Sequence, residues 1–146
     1  MNEMAGLEDA VAVAAHAHRG QKDKAGAPYL LHPLRMMLRM TTETAMMAAV
    51  LHDVVEDTTI TLDDLRARGF PAEVLEAVDR LTRRPGEAYD AFVERAATHP
   101  VARRVKLADL EDNLDLRRLD AVEAADLDRL DRYLRAYRRL SADAAG

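Results

Sequence analysis

The segment Leu51-His52-Asp53-Val54-Val55-Glu56-Asp57-Thr58 sets one imidazole and three carboxylates directly after a run of apolar residues. If helical geometry persists through it, Glu56 lies four residues from His52 and Asp57 four from Asp53. All four polar groups then project near one another from the end of an otherwise apolar helix. Any one of these carboxylates reads equally well as a helix returning to solvent, but the set does not. Carboxylates are unfavourable at the negative end of a helix dipole, so a cluster of them calls for a nearby cation, and a divalent metal would supply one.

Two further candidates stand apart in the chain. His32 lies between Leu31 and Pro33, and Asp109 interrupts the apolar side of Val105-Lys106-Leu107-Ala108-Asp109, where an unpaired buried carboxylate would be costly. Two imidazoles and two carboxylates (His32, His52, Asp53 and Asp109) form a mixed nitrogen and oxygen set that suits Mn²⁺, Fe²⁺ or another first-row ion and leaves positions for water and substrate. Such a metal acidifies bound water while a neighbouring carboxylate can accept the proton. His16, His18 and His99 read as capping or packing residues. Arg104 and Lys106 read as part of a solvated face.

The elements that must position these groups are helical. Apolar residues recur at helical spacing from Leu7 to Arg19, with Gly20 as a stop. Residues 21–32 carry Gly26 and Pro28 and predict an ordered loop, and Pro33 suits the first position of the next helix, leaving His32 at the junction. The run from Glu43 to Val54 predicts a buried helix with His52 and Asp53 at its C-terminal end. Thr61 and Asp64 resemble a capping box for a short helix ending near Gly69. Pro71 opens another towards Leu81, and Pro85-Gly86 marks a break. A face of Tyr89, Phe92, Val93 and Ala96, a restart at Pro100 continuing to Leu114, and a last helix using Leu127, Leu130, Leu134, Tyr137 and Leu140 complete the pattern.

Composition agrees. The 146 residues are 49% hydrophobic and 4% aromatic, enough for one core, and predict a single all-α domain over residues 1–146. Twenty-one basic against 26 acidic residues give a net charge of −5, which excludes a protein whose main task is gripping a nucleic-acid polymer but leaves a small nucleotide open as a ligand. There is no cysteine, no export signal and no apolar run of membrane-spanning length, which predicts a cytoplasmic protein; oligomeric state is left open.

At these residues the chain resembles the hydrolase domain of the RelA/SpoT alarmone enzymes and their small stand-alone relatives, an HD-superfamily helical bundle with its metal between helices. The likeness spans nearly the whole chain. It rests on His18-Arg19-Gly20-Gln21 with Lys24 and Gly26, on Pro28-Tyr29-Leu30-Leu31-His32-Pro33, on His52 to Thr58, and on Val105 to Asp109 with Asn113, in that order. It implies a manganese ion on His32, His52, Asp53 and Asp109, with Glu56 and Asp57 positioning and activating the attacking water. It implies nucleotide contacts from Lys24, Asn113 and Tyr133, though Tyr133 at that helical position equally suits the core.

One position departs from the family pattern. Where those enzymes carry an Arg-Lys pair whose arginine packs on guanine, this chain has Asp23-Lys24, and an aspartate cannot stack as a guanidinium does. The resemblance implies hydrolysis of guanosine 3′,5′-bis(diphosphate), whereas the Asp23 departure favours the first of the alternatives. The alternatives are a phosphatase for another phosphorylated nucleotide, such as NADPH or a nucleoside monophosphate, and a non-catalytic nucleotide-binding sensor.

Overall fold

A computed structural model describes residues 4–145, with side chains as far as Ala142. Its helices are α1 (Leu7–Ala17), α2 (Leu31–Leu38), α3 (Glu43–Leu51), α4 (Val54–Asp57), α5 (Leu62–Ala67), α6 (Ala72–Arg80), α7 (Tyr89–Ala97), α8 (Pro100–Asn113) and α9 (Ala124–Ala145), with a 3₁₀ turn at Leu116–Arg118. Among the described residues there is no β-strand, only an isolated bridge between Lys22 and Pro28, so the chain is all-α as its composition predicts. No described helix is long and apolar enough to cross a membrane.

The core is organised around α3, the segment apolar on every side. The Thr42 hydroxyl accepts from the amide of Ala45 and caps its start, satisfying a donor that would otherwise be orphaned. Its residues Ala45, Met47, Ala48, Ala49, Val50 and Leu51 are all buried, and it packs against α1, α2, α6 and α8. Leu51 and Val50 join Val13, Val54, Leu65 and Val78 in one cluster, whereas Ala48 and Ala49 face Met36, Ala102 and Val105 in another. Small side chains on that second face let α2 and α8 approach closely, and both of those helices carry site residues. A third cluster joins Val93 and Leu110 to Ala136 and Leu140 of α9.

Most helix boundaries follow local chemistry. Thr61 and Asp64 form the expected capping box, and Gly20 (φ 84°) and Gly86 (φ 75°) occupy the left-handed conformations their breaks require. His99 caps α8 by accepting from the amide of Ala102, with Pro100 at the first helical position, so this histidine has the capping role read from sequence.

Four details differ from expectation. α2 begins at Leu31, so Pro33 is its third residue and His32 lies within its first turn; the amides there have no helical partner, so proline costs nothing. Pro71 is the N-cap of α6 rather than its first residue. α3 stops at Leu51, His52 and Asp53 form a turn, and the chain resumes as the single turn α4. Finally, Leu127 and Leu134 are exposed, at 58% and 40%; Leu140 is buried and Tyr137 packs beside it as expected, but Asp126, Tyr133 and Ala136 turn inward in place of the two leucines.

Leu51 is fully buried beside the His52 turn. Leu51→Ala is expected to lower unfolding free energy by about 2–5 kcal/mol through lost transfer energy and a residual cavity. Urea denaturation followed by circular dichroism checks this, and a loss below about 1 kcal/mol would mean the site collapses around the gap.

Candidate metal centre and adjoining cavities

Helices α2, α3 and α8 bring together residues far apart in sequence. One ligand atom from each of His32, His52 and Asp109 lies within 4.8 Å of the others, and all three residues are buried. The Asp109 Oδ1 is 2.9 Å from His32 Nε2 and 3.6 Å from His52 Nε2. Asp53 stands at the edge of this group, its Oδ2 3.0 Å from His52 Nε2 and hydrogen-bonded by the Tyr29 hydroxyl.

The chemistry of His52 shows that the set suits a cation. Its Nδ1 donates to the carbonyl of Ala49 at 2.7 Å, which in a neutral ring leaves Nε2 as a lone pair. That nitrogen is buried, makes no hydrogen bond despite its closeness to Asp53, and faces acceptors only. Acceptors converging on a lone pair repel unless a positive charge stands among them. An electropositive centre could come from a proton, and burial lowers the pKa of His52 before the Asp53 and Asp109 carboxylates carry it well above the usual histidine range. A divalent ion satisfies all of these donors at once, and an HD-type His/Asp set is of the right kind to hold one.

His32 is held from both sides. Its Nδ1 is 2.6 Å from Asp112 Oδ2, which leaves Nε2 free to turn towards Asp109 and a metal. Asp112, 1% exposed, also receives Arg35 Nε at 2.8 Å and Nη2 at 2.9 Å, and Arg118 Nη2 at 3.3 Å. Burial would raise the pKa of Asp112, but these donors hold it far below the ordinary carboxylate range. Asp109 is supported likewise: Lys106 Nζ meets its Oδ2 at 2.9 Å and Asn113 Nδ2 its Oδ1 at 3.1 Å. Burial opposes its ionisation, yet Lys106 and the two imidazoles keep it ionised.

These groups open on a cavity of about 300 Å³, also lined by Glu56, Asp57, Arg83, Tyr89, Arg132 and Tyr133. Glu56 does not stack beneath His52, because the helix breaks; its Oε1 accepts from the amide of Arg83 at 2.6 Å. Since Asp53 occupies the N-cap position of α4, the helix-dipole reason for a cation does not hold, and the crowded acceptors around His52 Nε2 replace it. Burial, then the Asp53 and Glu56 carboxylates, push Asp57 up to about 6. Tyr29 is shifted far upward by burial and then by Asp53, so its hydroxyl is a permanent donor.

A second cavity, about 310 Å³, adjoins the first and shares Tyr29, Asn113 and Tyr133 with it. Lys24 lines this second space and not the first, with Nζ 2.7 Å from Asp126. Asp23 lines it too, but its Oδ1 accepts from the amides of Ala25 and Ala27, both at 2.9 Å, so it shapes the loop. Arg104 is exposed beside a different surface pocket, as a solvated face predicts; Lys106 is not on such a face but buried against Asp109. His18 is a buried packing residue, edge-on to Tyr29 at 5.0 Å, and His16 is exposed. Sequence reasoning missed Asp112, Arg35, Tyr29 and Arg132. The spacing of Asp112 three residues after Asp109, and of Arg35 three after His32, is the signal that could have exposed the first two.

An HD domain model matches residues 10–136, and the chain belongs to the HD-domain family. Among its relatives is the Mus musculus protein named guanosine-3′,5′-bis(diphosphate) 3′-pyrophosphohydrolase MESH1, 40% identical over 131 residues that cover 80% of this chain and 73% of that one. The GTP pyrophosphokinase of Streptomyces coelicolor is 41% identical over 122 residues, 74% of this chain but only 14% of that much longer protein. The fold superposes on the structure of a metazoan SpoT ortholog, described as hydrolysing ppGpp, with a TM-score of 0.74 and 28% identity, covering 96% of this chain and 85% of the other.

Asp112→Asn keeps the shape but removes the charge that orients His32 and Arg35. Its metal affinity, by calorimetric titration of the stripped protein, is expected to fall about 10–100-fold. Unchanged affinity would show that α2 is positioned by packing alone.

Proposed function

We propose that this chain is a metal-dependent phosphohydrolase that removes pyrophosphate from the 3′ position of guanosine 3′,5′-bis(diphosphate). The observation that carries the reading is the buried, acceptor-crowded Nε2 of His52 beside His32 and Asp109, opening on a cavity that also holds Glu56 and Asp57. The activity printed for the relatives supplies the substrate class.

His32, His52, Asp53 and Asp109 would hold the metal, Mn²⁺ on the strength of the family resemblance. When bound, it acidifies water and neutralises phosphate charge. Glu56, fixed by the Arg83 amide, orients the attacking water, and Asp57 accepts its proton. The water oxygen bonds to the phosphorus attached to the ribose 3′ oxygen. The bond from phosphorus to that oxygen breaks, its electron pair stays on the oxygen, which takes up the proton that Asp57 accepted to become the 3′ hydroxyl, and pyrophosphate carries away the new oxygen. Tyr29 keeps Asp53 ionised and aligned. Asn113 and Tyr133, on the wall common to both cavities, meet the nucleoside between them, and Lys24 meets its far end.

A second reading, hydrolysis of another phosphorylated nucleotide such as NADPH, is favoured by one observation: Asp23 spends its carboxylate on the loop's own amides and offers no stacking plane. Arg118, 3.5 Å from Asp23 in the same cavity, is the nearest replacement guanidinium.

A panel of guanosine tetraphosphate, NADPH and nucleoside monophosphates, assayed with added Mn²⁺ for phosphate and pyrophosphate, decides between them. Pyrophosphate release from the tetraphosphate is expected, vanishing in Asp53→Ala and falling by about 10²-fold or more in Glu56→Gln with substrate binding retained. Release from NADPH alone would replace the substrate. Binding without turnover would instead make the protein a sensor.

A further inference from the structure

Arg132 has an unusual environment for an arginine in so acidic a chain. Its neighbours on α9, Arg129 and Arg135, pair with Asp126 and Asp131. Arg132 pairs with no carboxylate among the described residues, and its Nε is buried without a partner. The guanidinium carbon instead stands 4.8 Å from the ring centre of Tyr89 and 5.9 Å from that of Tyr133. The Tyr89 hydroxyl is also buried and unpartnered. Both residues line the cavity of the metal candidates, and a short path joins them to it: Lys106 Nζ is 2.9 Å from Asp109 and 5.7 Å from the Tyr89 ring centre. Arg83 approaches the same ring at 5.7 Å and is exposed at its other side.

A guanidinium held between aromatic rings gains cation–π attraction but still lacks the anion that its planar donors are shaped for. The second cavity is different. There Lys24 and Arg129 both reach Asp126, and Arg118 reaches Asp112 and Asp23, so each of these three cations already has a carboxylate partner. In the first cavity Arg132 has none among the described residues.

We infer that Arg132, with the Tyr89 hydroxyl and Arg83 beside it, forms an anion subsite for the outer phosphoryl group of a diphosphate ester whose inner phosphorus lies at the metal centre. This rests on the phosphohydrolase reading and deepens it. The subsite makes the enzyme select diphosphate over monophosphate esters, because a single phosphate at the metal leaves the guanidinium unpaired. Arg132 is a binding and specificity residue, remote from the proton transfer.

The test is equilibrium dialysis of the metal-loaded full chain against labelled inorganic pyrophosphate and orthophosphate, with wild type, Arg132→Gln, Tyr89→Phe and Arg135→Ala. Wild type and the exposed Arg135→Ala control are expected to bind pyrophosphate about tenfold or more tightly than orthophosphate, the worth of one charge-assisted pair. Arg132→Gln should lose that preference while holding orthophosphate unchanged, and Tyr89→Phe, which removes only a hydroxyl, should lose part of it. Equal binding of the two anions by wild type, or a full preference in both Arg132→Gln and Tyr89→Phe, overturns the subsite. Should wild type turn over no nucleotide yet keep a preference that Arg132→Gln abolishes, the hydrolase reading fails and the anion subsite stands.

Discussion

The buried carboxylate of Asp112 is the interaction on which the rest of the site depends. It receives His32, both faces of the Arg35 fork and Arg118, and so ties α2 to α8 and to the turn that follows α8. A buried anion met by so many charge-assisted donors favours one arrangement, and removing a donor weakens the hold on the others. Its consequence for chemistry is tautomeric. With Nδ1 committed to Asp112, His32 has only Nε2 to offer Asp109 and a metal.

Packing sets the same constraint from the other side. The alanines of α3 let α2 and α8 close over it, and the break after Leu51 then swings His52 and Asp53 towards their partners. A helix continuing straight through Asp57 would have stacked Glu56 beneath His52. The turn sends it to the amide of Arg83 instead, so the acid-rich segment spreads across the cavity mouth.

Much of this was legible in sequence. The helices followed from periodicity and from Thr61, Gly20, Pro100 and their kind, and the convergence of His32, His52 and Asp109 followed from residue types that are costly to bury singly. What could not be read is where a helix breaks between two residues with no glycine or proline to mark the place. Tertiary pairing was equally hidden: Asp112 and Arg35 look like solvated charges until α2 and α8 are set side by side, and Lys106 looks exposed until Phe92 covers it at 4.8 Å. The face of α9 was legible at Tyr137 and Leu140 but not earlier in the helix, where Leu127 and Leu134 imitate a core stripe while Tyr133, Ala136 and the buried Asp126 turn inward.

The placement of Arg132 inside a cavity bears on how an anion arrives. The chain as a whole carries a net charge of −5, so an anion approaches against a repulsive far field and meets Arg132 inside the cavity. Mobile ions screen forces acting over more than about 10 Å at 0.1 M salt, yet hardly reach an enclosed guanidinium. Added salt therefore removes the opposition and spares the attraction, and diffusional capture here gains from ionic strength that would slow an enzyme with a basic surface.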